Sequence, residues 1–71
     1  MVIQIPTSET MTFFDEENDQ FATIIVRVAG STVGLCLSLE QEGDIEVFLP
    51  ATEMERFLCA VQKVVETTKV S

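Results

Sequence analysis

The chain has 71 residues, with 12 acidic side chains, 4 basic ones and no histidine, for a formal charge of -8 at neutral pH. That length holds one domain, spanning 1–71, and a domain this small buries roughly 60% of the surface its unfolded chain exposes, so its core is thin. At 46% hydrophobic it is too apolar for a disordered acidic tail, which pairs high charge with low hydrophobicity.

Residues 2–5 form a short β-like run, with Val2, Ile3 and Ile5 stopped by Pro6, and residues 11–14 form another ahead of the acidic stretch Asp15-Glu16-Glu17-Asn18-Asp19. The second run is expected to pair across that loop with the next strand. Over 22–28, Ala22, Ile24, Val26 and Val28 alternate with Thr23, Ile25 and Arg27; over 32–39, Val33, Leu35, Leu37 and Leu39 alternate with Thr32, Gly34, Cys36 and Ser38. Both have the period of two of a half-buried strand, and Gly30 between them supplies the permissive backbone of a tight reversal. A polar turn, Glu40-Gln41-Glu42-Gly43, leads to a strand over 44–49, where Ile45, Val47 and Leu49 alternate with Asp44, Glu46 and Phe48. Pro50 ends it, having no N–H to give a ladder.

Residues 52–67 read as an amphipathic helix, with Met54, Phe57, Leu58, Val61, Val64 and Val65 on one stripe. Thr52 and Glu55 stand at capping-box spacing, and Glu53 near the start with Lys63 and Lys69 toward the end suits the helix dipole. The expected fold is α+β: a small antiparallel meander of three to five strands packed on one face by a single C-terminal helix.

Missing histidine removes the commonest general base and metal ligand, and leaves Cys36 and Cys59 without an imidazole to activate them. The two cysteines fall on different outward faces and read as reduced thiols, neither a zinc site nor a redox pair. Asp15, Glu17 and Asp19 alternate as oxygen ligands do in a calcium loop. The EF-hand pattern fails, however, at Gln20 in place of its glycine and at Val26 in place of its terminal glutamate. The chain is therefore expected to be non-enzymatic, with no catalytic residues, no cofactor and no metal. No basic n-region precedes an apolar run and no apolar stretch approaches the roughly 18 residues of a membrane span, so the sequence reads as cytoplasmic, without a membrane partner.

Two surfaces stand out. If the helix covers the face of Val33, Leu35 and Leu37, then Ile25, Cys36 and Phe48, with Arg27 beside them, project from the other face. A watery face should not carry that cluster, so either the N-terminal segment with Phe13 and Phe14 folds over it or a second chain does. Homodimerisation through the sheet or its edge is the expected self-interaction. The second surface is acidic: Asp15, Glu16, Glu17 and Asp19 on one loop, and Glu40, Glu42, Asp44 and Glu46 around the other. The functional expectation is a small interaction module, acting as a homodimer, that binds and modulates another protein. The alternative is an inhibitor of viral or phage type whose carboxylates mimic nucleic-acid phosphates against a basic nucleic-acid-binding protein. A second alternative, direct binding of single-stranded nucleic acid, requires the few cations to gather locally, against a net charge that repels phosphates.

Overall fold

A computed structural model describes residues 7–70. Four strands run in chain order across one antiparallel sheet: β1 (Ser8–Asp15), β2 (Gln20–Ala29), β3 (Thr32–Leu39) and β4 (Gly43–Pro50). The helix α1 (Ala51–Val70) follows. The expected α+β meander with one C-terminal helix is the fold of the chain. The run over 2–5 lies outside the described residues. The later strands fall where alternation placed them, and 32–39 agrees at both ends. β1 is longer than the apolar run that signalled it, because Ser8, Glu9 and Thr10 also pair with Arg27, Val26 and Ile25. Ladder hydrogen bonds do not depend on side-chain hydrophobicity, so a polar edge segment can extend a strand invisibly to periodicity.

The reversals are built from residues with positive φ. Gly30 (φ 62°) and Ser31 make the two-residue turn between β2 and β3, which the Thr32 hydroxyl tightens by donating to the Ala29 carbonyl at 2.8 Å. Gly43 opens β4 at φ 87°, and Asp19 takes the left-handed conformation at φ 56° just before β2.

Register sorts the side chains into two faces. One is apolar: Met11 and Phe13 beside Ile24 and Ala22, then Ile24–Leu37–Ile45, Val26–Leu35–Val47 and Val28–Val33–Leu49 across the central strands. The other is mixed: Phe14–Phe21, Thr12–Thr23–Ser38–Asp44, Ile25–Cys36–Glu46 and Arg27–Gly34–Phe48. Phe13 and Phe14 therefore part company. β1 lies beside β2 in the plane of the sheet and does not fold across it.

β4 ends at Pro50 and α1 begins at Ala51, so no loop joins them. This puts Thr52 inside the first helical turn and not at its cap, which sets aside the capping box; Glu53 of the first turn instead pairs with Arg56 of the next at 3.0 Å. The helix packs against β4 and β3, with Met54 as a buried residue near its start. Beyond Met54 the stripe predicted to seal the sheet is open: Phe57, Leu58, Val61, Val64 and Val65 are 40–65% exposed. The missing loop is the physical reason, since a helix that starts on the residue after a strand has no turn in which to swing fully back over it.

Candidate functional site

On the mixed face, the four residues singled out as a partner face come together. Ile25 sits opposite Cys36, and Arg27 and Phe48 flank Gly34 on either side. Gly34 is buried, and a Cβ on it would lie 3.3 Å from Phe48 Cε1 and 3.4 Å from both Arg27 Cγ and Glu46 Oε2. Its bare backbone is the floor on which these three side chains meet. The Arg27 guanidinium stands 5.5 Å from the Phe48 ring centroid, and it donates through Nε to Glu46 Oε2 at 2.9 Å and through Nη2 to Glu46 Oε1 at 3.1 Å. A two-pronged guanidinium–carboxylate pair of this kind fixes geometry as well as charge. The hydrogen bond and the negative charge of Glu46 both raise the Arg27 pKa above its ordinary value. Glu46 is thereby separated from the other acidic residues and belongs to this cluster. Further along the same face, Phe14 and Phe21 pack edge-to-face at 5.3 Å between centroids, and the Thr12 and Thr23 hydroxyls lie 3.2 Å apart in a hydrogen bond.

The acidic loops share one end of the sheet, because Asp15–Gln20 and Leu39–Gly43 are the closing pairs of their hairpins. Gln20 joins them. This side chain, 6% exposed, accepts the Gln41 N–H on Oε1 at 2.7 Å, while its Nε2 donates to Glu42 Oε1 at 3.3 Å and to the Asn18 carbonyl at 3.4 Å. The residue that spoils the calcium-loop pattern in sequence is thus the clasp between the two loops. Asp15 is also committed to structure: Oδ1 accepts the Glu17 and Asn18 N–H groups at 3.0 and 3.2 Å, and Oδ2 accepts from Asn18 Nδ2 at 2.7 Å. These bonds, the Asn18 side chain's first, hold its pKa below the ordinary value. Among the described residues no three Cys, Asp or Glu side chains converge as a metal site.

Gathered at that end are Asp15, Glu16, Glu17, Asp19, Glu40, Glu42 and Asp44. At this end of the sheet runs an open trough of about 420 Å³, lined by Phe13, Ala22, Ile24, Leu37 and Ile45 of the apolar face together with Asp15, Glu42 and Asp44. Charge is divided along the chain. Residues 1–50 hold nine acidic side chains and one basic, Arg27, while α1 carries three of each.

The two cysteines are free and apart, Cys36 on β3 and Cys59 exposed on α1 beside Lys63 and Glu66. Among the described residues, no helix is long and apolar enough to cross a membrane. Sequence reasoning missed Gly34 and Gln20. A glycine inside an alternating strand, away from any turn, is the signal for close side-chain approach that could have marked the first. Nothing local marks the second, whose partners on the other loop lie more than twenty residues away. No protein-family model, curated protein or solved structure matches the chain.

Proposed function

We propose that the protein is a non-catalytic interaction module, working as a homodimer, that presents the acidic end of its sheet to a basic surface on another protein. The observation that carries this reading is the Gln20 clasp, which holds the two acidic loops side by side. Seven carboxylates on the two loops and the strand ends beside them concentrate negative potential on one small area, and such a field steers a cationic partner and sets its orientation. The sheet's cation, Arg27, is paired with Glu46 and stacked on Phe48, which argues against nucleic acid as the ligand of the mixed face.

The test is binding to a panel of purified cationic proteins at ionic strengths of about 0.05 M and about 0.3 M, where screening lengths differ more than twofold. The expected result is binding that weakens with salt and is lost when Glu16, Glu17, Glu40 and Glu42 are changed to Gln and Asp19 to Asn. Binding that survives these changes would overturn the reading. Duplex DNA added as competitor separates the two modes of action: displacement from a partner's DNA site supports the phosphate-mimic alternative, and binding elsewhere on the partner supports simple docking.

A further inference from the structure

The trough and the helix stripe have the same defect from opposite sides. On the apolar face, Met11, Phe13, Val28, Leu37, Ile45 and Val47 are exposed, with Ile45 at 63%. On α1 the stripe from Phe57 to Val65 is equally open, with Val64 at 65%. Within one chain these two surfaces should cover one another, yet the direct passage from β4 into α1 keeps them apart beyond Met54. We infer that a second copy supplies the cover, each copy laying the stripe of its α1 across the apolar face of the other. This deepens the proposed function, since it rests on the homodimer named there and gives it a geometry.

Three observations favour a second copy as the occupant. The first is size. The accessible surface is 6040 Å², against about 4400 Å² for a compact monomer of 7.9 kDa. Half of that excess from each of two copies would already make a standard interface of about 1600 Å² in total, and all of it would reach the range of obligate homodimers. The radius of gyration, 14.5 Å, likewise exceeds the about 11 Å of a compact domain this long.

The second is fit. A helix of 20 residues is about 30 Å long, and strands of 8 residues are about 26 Å long, so the helix can lie along the whole face, while its open stripe from Phe57 to Val65 covers about 12 Å of it. The third is charge. Stacking two apolar faces directly would bring together two copies of residues 1–50, which hold nine acidic residues and one basic in each chain. The helix holds three of each, and Lys69 borders the stripe on the turn after Val65. A balanced helix laid against a trough whose lining includes Asp15, Glu42 and Asp44 avoids the like-charge contact that the direct stacking of faces would create. The exchange is reciprocal, so the two contacts are equivalent and the pair closes on a twofold axis.

Sedimentation equilibrium of wild type, Val64→Asp and Ile45→Asp, followed by a one-to-one mixture of the two variants, tests the geometry. Wild type is expected at twice 7.9 kDa. Each variant, with a charge in both equivalent contacts, is expected to be monomeric, its dissociation constant raised at least about tenfold. The mixture is expected to form a heterodimer, because one of its two contacts joins a wild-type stripe to a wild-type face. Pairing of helix with helix or face with face would damage both contacts in the mixture, so a mixture that stays monomeric overturns the geometry while the homodimer stands. A wild type that is monomeric at every concentration overturns both. A single variant that dimerises as tightly as wild type overturns the helix-on-face contact. Far-UV circular dichroism checks the fold of each variant; if an aspartate unfolds the chain, Val64→Ser and Ile45→Ser replace it in the same measurements, and the same results support or overturn the geometry.

Discussion

Gly34 is where a missing side chain does the positioning. Arg27, Phe48 and Glu46 converge over its backbone, and a guanidinium above an exposed ring contributes about 0.5–1 kcal/mol. A double-mutant cycle on Arg27→Ala and Phe48→Ala, read by urea unfolding, is expected to return a coupling of about that size. The same cycle repeated in a Gly34→Val background should return none, because the added methyl groups occupy the meeting point. A coupling unchanged by Gly34→Val would show that the glycine does not set the arrangement. Asp15 makes a second prediction at this scale. Its folded pKa is lowered, so its bonds to Asn18 and Glu17 stabilise the loop above the ordinary carboxylate value of 3.8 and are lost as the pH falls below that toward the lowered value. Amide shifts of Glu17 and Asn18 in an acid titration should report a midpoint below 3.8, and Asp15→Asn should abolish the transition. A midpoint at or above the ordinary value would contradict the assignment.

Among the elements, Gln20 decides how the two hairpins are joined. Replacing it with Leu removes the acceptor of the Gln41 N–H and the donor to Glu42, and is expected to cost about 1–3 kcal/mol. Amide exchange at Gln41 should accelerate selectively, while exchange in the central strands follows global stability. Uniform acceleration would mean that the clasp is only part of the general packing. The strands themselves were legible because alternation such as Val33, Leu35, Leu37 and Leu39 is local, and so were the glycine turns. Legible too was the shared outward face of Ile25, Cys36 and Phe48, since a period of two propagates across paired strands. Three features were not. The clasp and the Arg27–Glu46 pair depend on register between segments distant in sequence. The open helix stripe depends on how a connection of no residues directs the chain, and hydrophobic period is silent on that: Val61 and Val64 have the same spacing whether their cover comes from their own sheet or another copy's.

At the scale of the whole molecule, the proposed function divides the work between the acidic pole and the apolar surfaces. In that proposal the loops at one end offer their charge to a partner, and the stripe and the apolar sheet face offer their area to a second copy. Because dimerisation would supply much of the core, thermal stability should depend on protein concentration, with the melting temperature rising across a hundredfold increase in protein. A constant melting temperature would mean that the single chain carries its own stability. The junction of Pro50 and Ala51 gives this arrangement a further meaning. In the proposed dimer it would act as a selector between closure within a chain and closure between chains. A helix tethered by a flexible linker of several residues would meet its own sheet at an effective concentration in the millimolar range, far above that of any neighbour. Lacking such a linker, α1 packs on β4 and β3 with Met54 buried but leaves the rest of its stripe open, and in the proposed dimer the oligomeric state would be a property of connection length more than of surface chemistry. Insertion of a short glycine–serine segment after Pro50 would leave every contact surface intact and return the helix to its own chain as a closed monomer.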